Sequence, residues 1–156
     1  MTPTATPQTP SYLSAIQLEG QAFTDVQITA QKDTDPKGGE LFTNVNFGGS
    51  MIGDDKRKWQ VLVRVNLVAN ENSKPHYLGT VECVGIFSVA PDVKDENIER
   101  LVMVNGTGLL YGSIRELILT ITSRGPWPAI NLVTQVFTAG FDAGKAKEKE
   151  AEKIKP

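Results

Sequence analysis

The sequence predicts an α+β domain, an antiparallel sheet of four strands followed by helices. Four segments of period-two alternation come one after another, joined by connections too short for crossover helices. After Pro91 the apolar period becomes helical. A chain of 156 residues is the size of one domain and can bury a real core.

Each element follows from its local pattern. Residues 1–10 are rich in Thr and Pro and uncharged, so residues 1–11 are expected to be a disordered lead-in. From Tyr12 to Ile28 two short alternations, Ile16 with Leu18 and Val26 with Ile28, predict a long or broken strand interrupted at Gly20. Lys32 to Gly39 has the chemistry of a loop. Leu41, Thr43, Val45 and Phe47 form the second strand, and Gly48 to Lys58 reads as another loop. The clearest strand places Trp59, Val61, Val63, Val65 and Leu67 on one face. His76 to Val89, rich in β-branched and aromatic residues, is the fourth. Ile98, Leu101 and Val102 then share a helical face, which Asn105-Gly106 is expected to end. Leu110, Ile114, Leu117, Ile118 and Ile121 form the strongest stripe, with Gly125 placed as its C′ residue and Pro126 preventing continuation. A last helix is expected from Val133 through Phe141, the domain ending there. Residues 142–156 read as a charged helical or frayed tail of Lys and Glu pairs.

Composition excludes several functions. A net charge of −2 offers no strong field for nucleic acid or an anionic membrane. The single Cys excludes a disulfide framework and a cysteine zinc cluster, and the single His excludes a multi-histidine metal site. Without a basic start, an apolar leader or a spanning apolar run, the chain is expected in the cytoplasm.

No catalytic constellation emerges. His76 beside Pro75 has no carboxylate partner in the pattern and reads as a surface residue. Cys83, mid-strand between Glu82 and Val84, reads as a buried thiol. Asp54-Asp55, followed by Lys56-Arg57-Lys58, reads as a charged turn rather than a cation or nucleic-acid site. Gly106-Thr107-Gly108 and Gly112 lack the Gly-Lys-Ser/Thr ending of a phosphate loop. No enzyme activity, cofactor or metal is expected.

A specific pattern lies between Gly85 and Phe137. Gly85-Ile86-Phe87-Ser88-Val89 is followed by Leu110-Tyr111-Gly112-Ser113-Ile114-Arg115-Glu116, then by Thr122-Ser123-Arg124-Gly125-Pro126-Trp127-Pro128-Ala129-Ile130-Asn131-Leu132 and Val136-Phe137. This order resembles the SecB family of protein-export chaperones. The resemblance covers about a third of the chain in detail and nearly all of it in element order. It implies a four-stranded antiparallel sheet with helices on one side, a long C-terminal helix, and a homotetramer built as a dimer of dimers. It also implies an ATP-independent holdase that binds unfolded polypeptides in apolar grooves.

The expected client-binding residues are Phe42, Phe47, Leu78, Phe87, Leu109, Tyr111, Trp127, Phe137 and Phe141. Ile114, Leu117, Ile118 and Ile121 are expected in helix packing or oligomer contacts, while Arg115-Glu116 and Arg124 look structural. Family members dock the export motor ATPase through acids on the outer sheet face. Here the matching surface is Asp25, Leu78 and Thr80, with Thr80, and Thr29 beside it, where acids are expected. Fewer acids should weaken attraction to a basic partner. That opens a second reading, a dedicated chaperone of a toxin–antitoxin system that protects an antitoxin. A third, from another class, is a lipocalin-like small-ligand binder, which a defined pocket and a stoichiometric ligand would mark.

Overall fold

The computed structural model describes residues 14–153. The expected lead-in at residues 1–11 lies outside the described residues. The strands are β1 (Ile16–Ala30), β2 (Leu41–Ile52), β3 (Asp55–Ala69) and β4 (Tyr77–Val89). The helices are α1 (Asp95–Leu101), a π-helical turn at Val102–Gly106, α2 (Thr107–Thr122) and α3 (Thr138–Lys153).

The sheet is antiparallel throughout, in the order β1-β4-β3-β2. β2, β3 and β4 are consecutive neighbours and β1 returns beside β4, a Greek-key arrangement. The connection from β1 to β2 therefore passes the β3–β4 turn and is tied to it. Gln31 N–H donates to His76 O at 2.8 Å, Asp35 N–H to Lys74 O at 2.9 Å, and Lys74 N–H to the Asp35 carboxylate at 3.0 Å.

Alternation decides which face is buried. Val61, Val63 and Val65 of β3, with Val81, Cys83 and Phe87 of β4, have no exposed surface. They meet Leu110, Ile114 and Ile118 of α2, also fully buried, so the helical stripe packs on this inner face. Leu117 and Ile121 flank it and are half-buried. The outer face carries no layer among the described residues.

Five local features differ from expectation. β1 is not broken at Gly20; it absorbs register shifts between Leu18 and Gly20 and between Phe23 and Asp25 as two bulges. β2 runs on through Gly48 and Gly49 to Ile52, so the expected loop shrinks to a turn at Gly53-Asp54, with Gly53 in the left-handed region at φ 61°. There the Asp55 carboxylate accepts the Arg57 N–H at 2.8 Å.

Asn105-Gly106 does not end a helix. Gly106 is helical at φ −61°, and a Cβ there would crowd Phe87 and Val61, so its small size lets the helix approach the sheet. Gly125 is not a left-handed cap either. Its surroundings explain the glycine: a Cβ would collide with the Tyr77 hydroxyl.

The last helix begins at Thr138, not Val133. Residues 127–137 form neither helix nor strand, because side chains of the preceding elements capture their backbone. The Tyr77 hydroxyl donates between the carbonyls of Thr122 (3.1 Å) and Trp127 (3.0 Å) and accepts the Trp127 N–H (3.2 Å). The Thr122 hydroxyl accepts Ile130 N–H at 2.9 Å. Arg115 Nε donates to Leu132 O at 2.8 Å, and the Tyr111 hydroxyl to Val133 O at 2.8 Å. Leu132 and Phe137 sink into the core along this stretch. Residues 142–153 continue α3 as one helix with its apolar start.

Candidate functional site

The pinned connection creates the site. Held off the helices by these bonds, the connection buries Leu132 and Phe137 but leaves two other apolar side chains outside the core: Val133 is 71% and Val136 81% exposed. Phe137 turns inward instead. Its ring meets Phe47 edge-to-face at 5.6 Å and Tyr111 at 5.4 Å, forming a wall between two clefts.

The first cleft, about 610 Å³, lies between the inner side of β2 and α3. Val45, Phe47, Met103 and Phe141 give its apolar lining, and Glu99, Lys145, Lys147 and Glu148 its rim. The α3 side is fastened by exposed ion pairs. Lys145 Nζ reaches Glu99 at 2.6 Å and Glu148 at 3.0 Å, and Arg100 reaches Asp142 at 3.5 Å. Such pairs contribute little each in water, about 0–1 kcal/mol. The second cleft, about 530 Å³, lies between the start of β1 and the start of α2, with Ile16, Val104, Leu109, Val136 and Phe137 on its walls. Leu109 is 50% exposed there.

The expected client-binding residues scatter. Phe47 and Phe141 line the first cleft, Leu109 and Phe137 the second. Phe87 has no exposed surface, and the Tyr111 ring is buried under the connection, so both are core rather than groove lining. Burial also pushes the Tyr111 phenol above its usual range. Phe42 and Leu78 lie on the outer face, away from both clefts: Phe42 pairs with Val68, and Leu78 with Thr29. Trp127 is structural. Its indole stacks on His76 at 4.7 Å and 8°, and its Nε1 donates to Gln31 O at 3.0 Å. Sequence reasoning missed Val133, Val136, Val45 and Met103. Val133 and Val136 were hidden by the expected helix, which buried what the non-helical chain exposes.

Asp25, Leu78 and Thr80 do share one surface. The β1–β4 register pairs Asp25 with Glu82, Gln27 with Thr80, and Thr29 with Leu78, all on the outer face. Glu82 was missed, although period two places 78, 80 and 82 together. It pairs with Arg64 at 2.8 Å and accepts the Thr24 hydroxyl at 2.6 Å. The Thr24 hydrogen bond, then Arg64, lowers its carboxyl below the usual value. Thr80 donates to the Asn66 side chain at 2.9 Å, and Gln27 to Asp25 at 2.9 Å. The patch around Asp25, Thr80 and Glu82 is polar, and its side chains are paired with Gln27, Asn66, Thr24 and Arg64.

Cys83 is buried mid-strand, and burial raises its thiol above its usual range. Among the described residues no three His, Cys, Asp or Glu cluster as a metal site, and no helix is long and apolar enough to cross a membrane.

The family model described as preprotein translocase subunit SecB matches residues 12–148. The chain belongs to the SecB family. This is a family of chaperones, not of enzymes. Among curated relatives, the protein-export protein SecB of Anaplasma phagocytophilum (strain HZ) is 24% identical over 97 residues, 61% of this chain and 61% of that protein's length. That of Bartonella quintana (strain Toulouse) is 26% identical over 120 residues, 77% of this chain and 74% of that protein. A solved Mycobacterium tuberculosis structure, the Rv1957 SecB-like chaperone in complex with a ChAD peptide from the Rv1956 HigA1 antitoxin, superposes with a TM-score of 0.57 at 17% identity. The match covers 78% of this chain and 91% of that one. The expected fold, a SecB-like antiparallel sheet with helices and a C-terminal helix, is thereby shown.

Proposed function

We propose that the chain is an ATP-independent holdase that binds unfolded or aggregation-prone polypeptides in the two clefts beside Phe137. The observation that carries this reading is the pinned connection, which keeps Val133 and Val136 in water at 71% and 81% exposure, Val136 on the wall of the second cleft. An unfolded client exposes apolar segments, and burying them contributes about 25 cal/mol per Å². Several weak contacts on one chain combine through effective concentration, so affinity needs no single sequence. Phe47, Leu109 and Phe141 are the client-contact residues in this reading, with Val136 added, while Phe137 packs as core between the two clefts. The protein acts in the cytoplasm as a homotetramer, pairing through exposed edges and helix faces.

The test is light scattering from an unfolded protein diluted out of denaturant, with no nucleotide present. Near-stoichiometric chain should suppress the scattering. Undiminished scattering at excess chain overturns the reading.

The outer face favours a second reading, service to one antitoxin with little docking to the export motor. Its acids there are already engaged: Asp25 by Gln27, Glu82 by Arg64 and Thr24, and Glu19 by Lys58 at 3.8 Å. Pull-down from the native cells separates the two roles. Many precursors with the translocation ATPase indicate export; one dominant small antitoxin indicates the dedicated role.

A further inference from the structure

From Asp95 to Thr122 the chain is one run of helix with a widened turn in it. α1 and α2 keep α geometry, while Val102–Gly106 is π-helical. A π turn holds one residue more than an α turn and recurs at functional sites. Its place here is the wall between the two clefts. Met103 lines the first and lies against Gly49 of β2, while Val104 and Asn105 line the second.

Two threonines of α2 show what the turn costs. Both are fully buried. The Thr122 hydroxyl donates to Ile118 O, four residues back, at 2.7 Å. The Thr107 hydroxyl has no partner, and it is the one buried side-chain nitrogen or oxygen in that state among the described residues. The carbonyls it would reach in a regular helix, those of Met103 and Val104, lie inside the widened turn. A buried hydroxyl left unpaired is destabilising, so the turn is held by packing: Val102 is fully buried, and Gly106 sits against Phe87 and Val61. Packing favours the widened turn and the hydroxyl opposes it.

We propose that the π turn is a joint that yields when a client enters the first cleft. The widened turn passes along the helix toward Asp95, and the Thr107 hydroxyl gains the carbonyl of Met103 or Val104. Met103 swings off Gly49 by about 100°, one residue of helix. The first cleft gains the space Met103 leaves, and Val104 turns with it in the wall of the second. A client that fills this space binds only the yielded state and so shifts the balance toward it. The inference rests on the holding function proposed above and names how that site opens.

The test is Thr107→Val, which keeps the side-chain shape and removes the hydroxyl. Its thermal midpoint should rise by about 2 °C or more, because no bond is lost and an unpaired group is removed. A fluorescein-labelled, permanently unfolded, reduced protein should bind it at least about threefold more weakly by anisotropy, because the yielded turn loses the bond that favours it. Thr122→Val, which does lose a bond, should melt lower. In the unsubstituted chain the methyl NMR signal of Met103 should shift when the unfolded protein is added, and it should shift less in Thr107→Val. A lower midpoint for Thr107→Val overturns the inference, because the hydroxyl is then bonded. A higher midpoint with unchanged client affinity overturns it too and leaves the holding function standing, as does a Met103 signal that the bound client leaves in place. No binding by either chain overturns both readings.

Discussion

Tyr77 and Trp127 are joined at the backbone: the Tyr77 hydroxyl donates to Trp127 O at 3.0 Å and accepts Trp127 N–H at 3.2 Å. One side chain at the start of β4 thus fixes where the chain leaves α2, and so where the exposed Val133 and Val136 fall. Tyr77→Phe leaves these groups unpaired in a partly buried place. It should cost about 1–3 kcal/mol in urea unfolding. Amide exchange should accelerate most at residues 125–130.

Gly125→Ala places a methyl group against the Tyr77 hydroxyl. A destabilisation of about 1–3 kcal/mol is expected. Because the hydroxyl is the nearest atom met, the pair Gly125→Ala with Tyr77→Phe should cost less than the sum of the singles. A double-mutant cycle by thermal unfolding reads this coupling. An additive pair would place the strain elsewhere.

Trp127→Asp removes the stack on His76 and the bond to Gln31 O. Stability should fall by about 2 kcal/mol or more, with client holding falling only as the folded fraction falls. A variant that folds normally and fails to hold clients would return Trp127 to the groove.

Glu82 makes acid stability depend on Thr24 and Arg64. Its carboxyl lies below 4.5 in the folded chain, so it binds protons more weakly folded than unfolded. Its contribution is complete above about pH 4.5 and is lost as pH falls through the folded value. Thr24→Ala with Arg64→Met should flatten the stability profile in that acid range and leave the slope near neutrality unchanged, as read by urea midpoints.

Much of this fold is legible because alternation is a local signal. Trp59 to Leu67 alternates over one strand, and the stripe from Leu110 to Ile121 repeats at helical spacing; both packed as read. The misreadings came from residues whose local preference yielded to a distant partner. Gly48 and Gly49 look like a loop, but β3 pairs them into β2. Val133 to Phe137 has a helical spacing, but Tyr111 and Arg115 hold its entry out of a helix. The site was less legible for the same reason. Apolar type marks Phe47, Leu109 and Phe141 no differently from the core residues Phe87, Tyr111 and Phe137. Only the tertiary arrangement separates walls from core.

The most direct test compares the unmodified chain with the pair Leu109→Asp and Val136→Asp in binding a permanently unfolded, reduced protein by fluorescence anisotropy. Both positions are exposed on the second cleft, so stability should change by no more than about 0.5 kcal/mol per site. The account predicts that client affinity falls about tenfold or more, because charge replaces the apolar surface a client buries. Unchanged affinity in a stably folded variant would contradict it and place client binding elsewhere on the molecule.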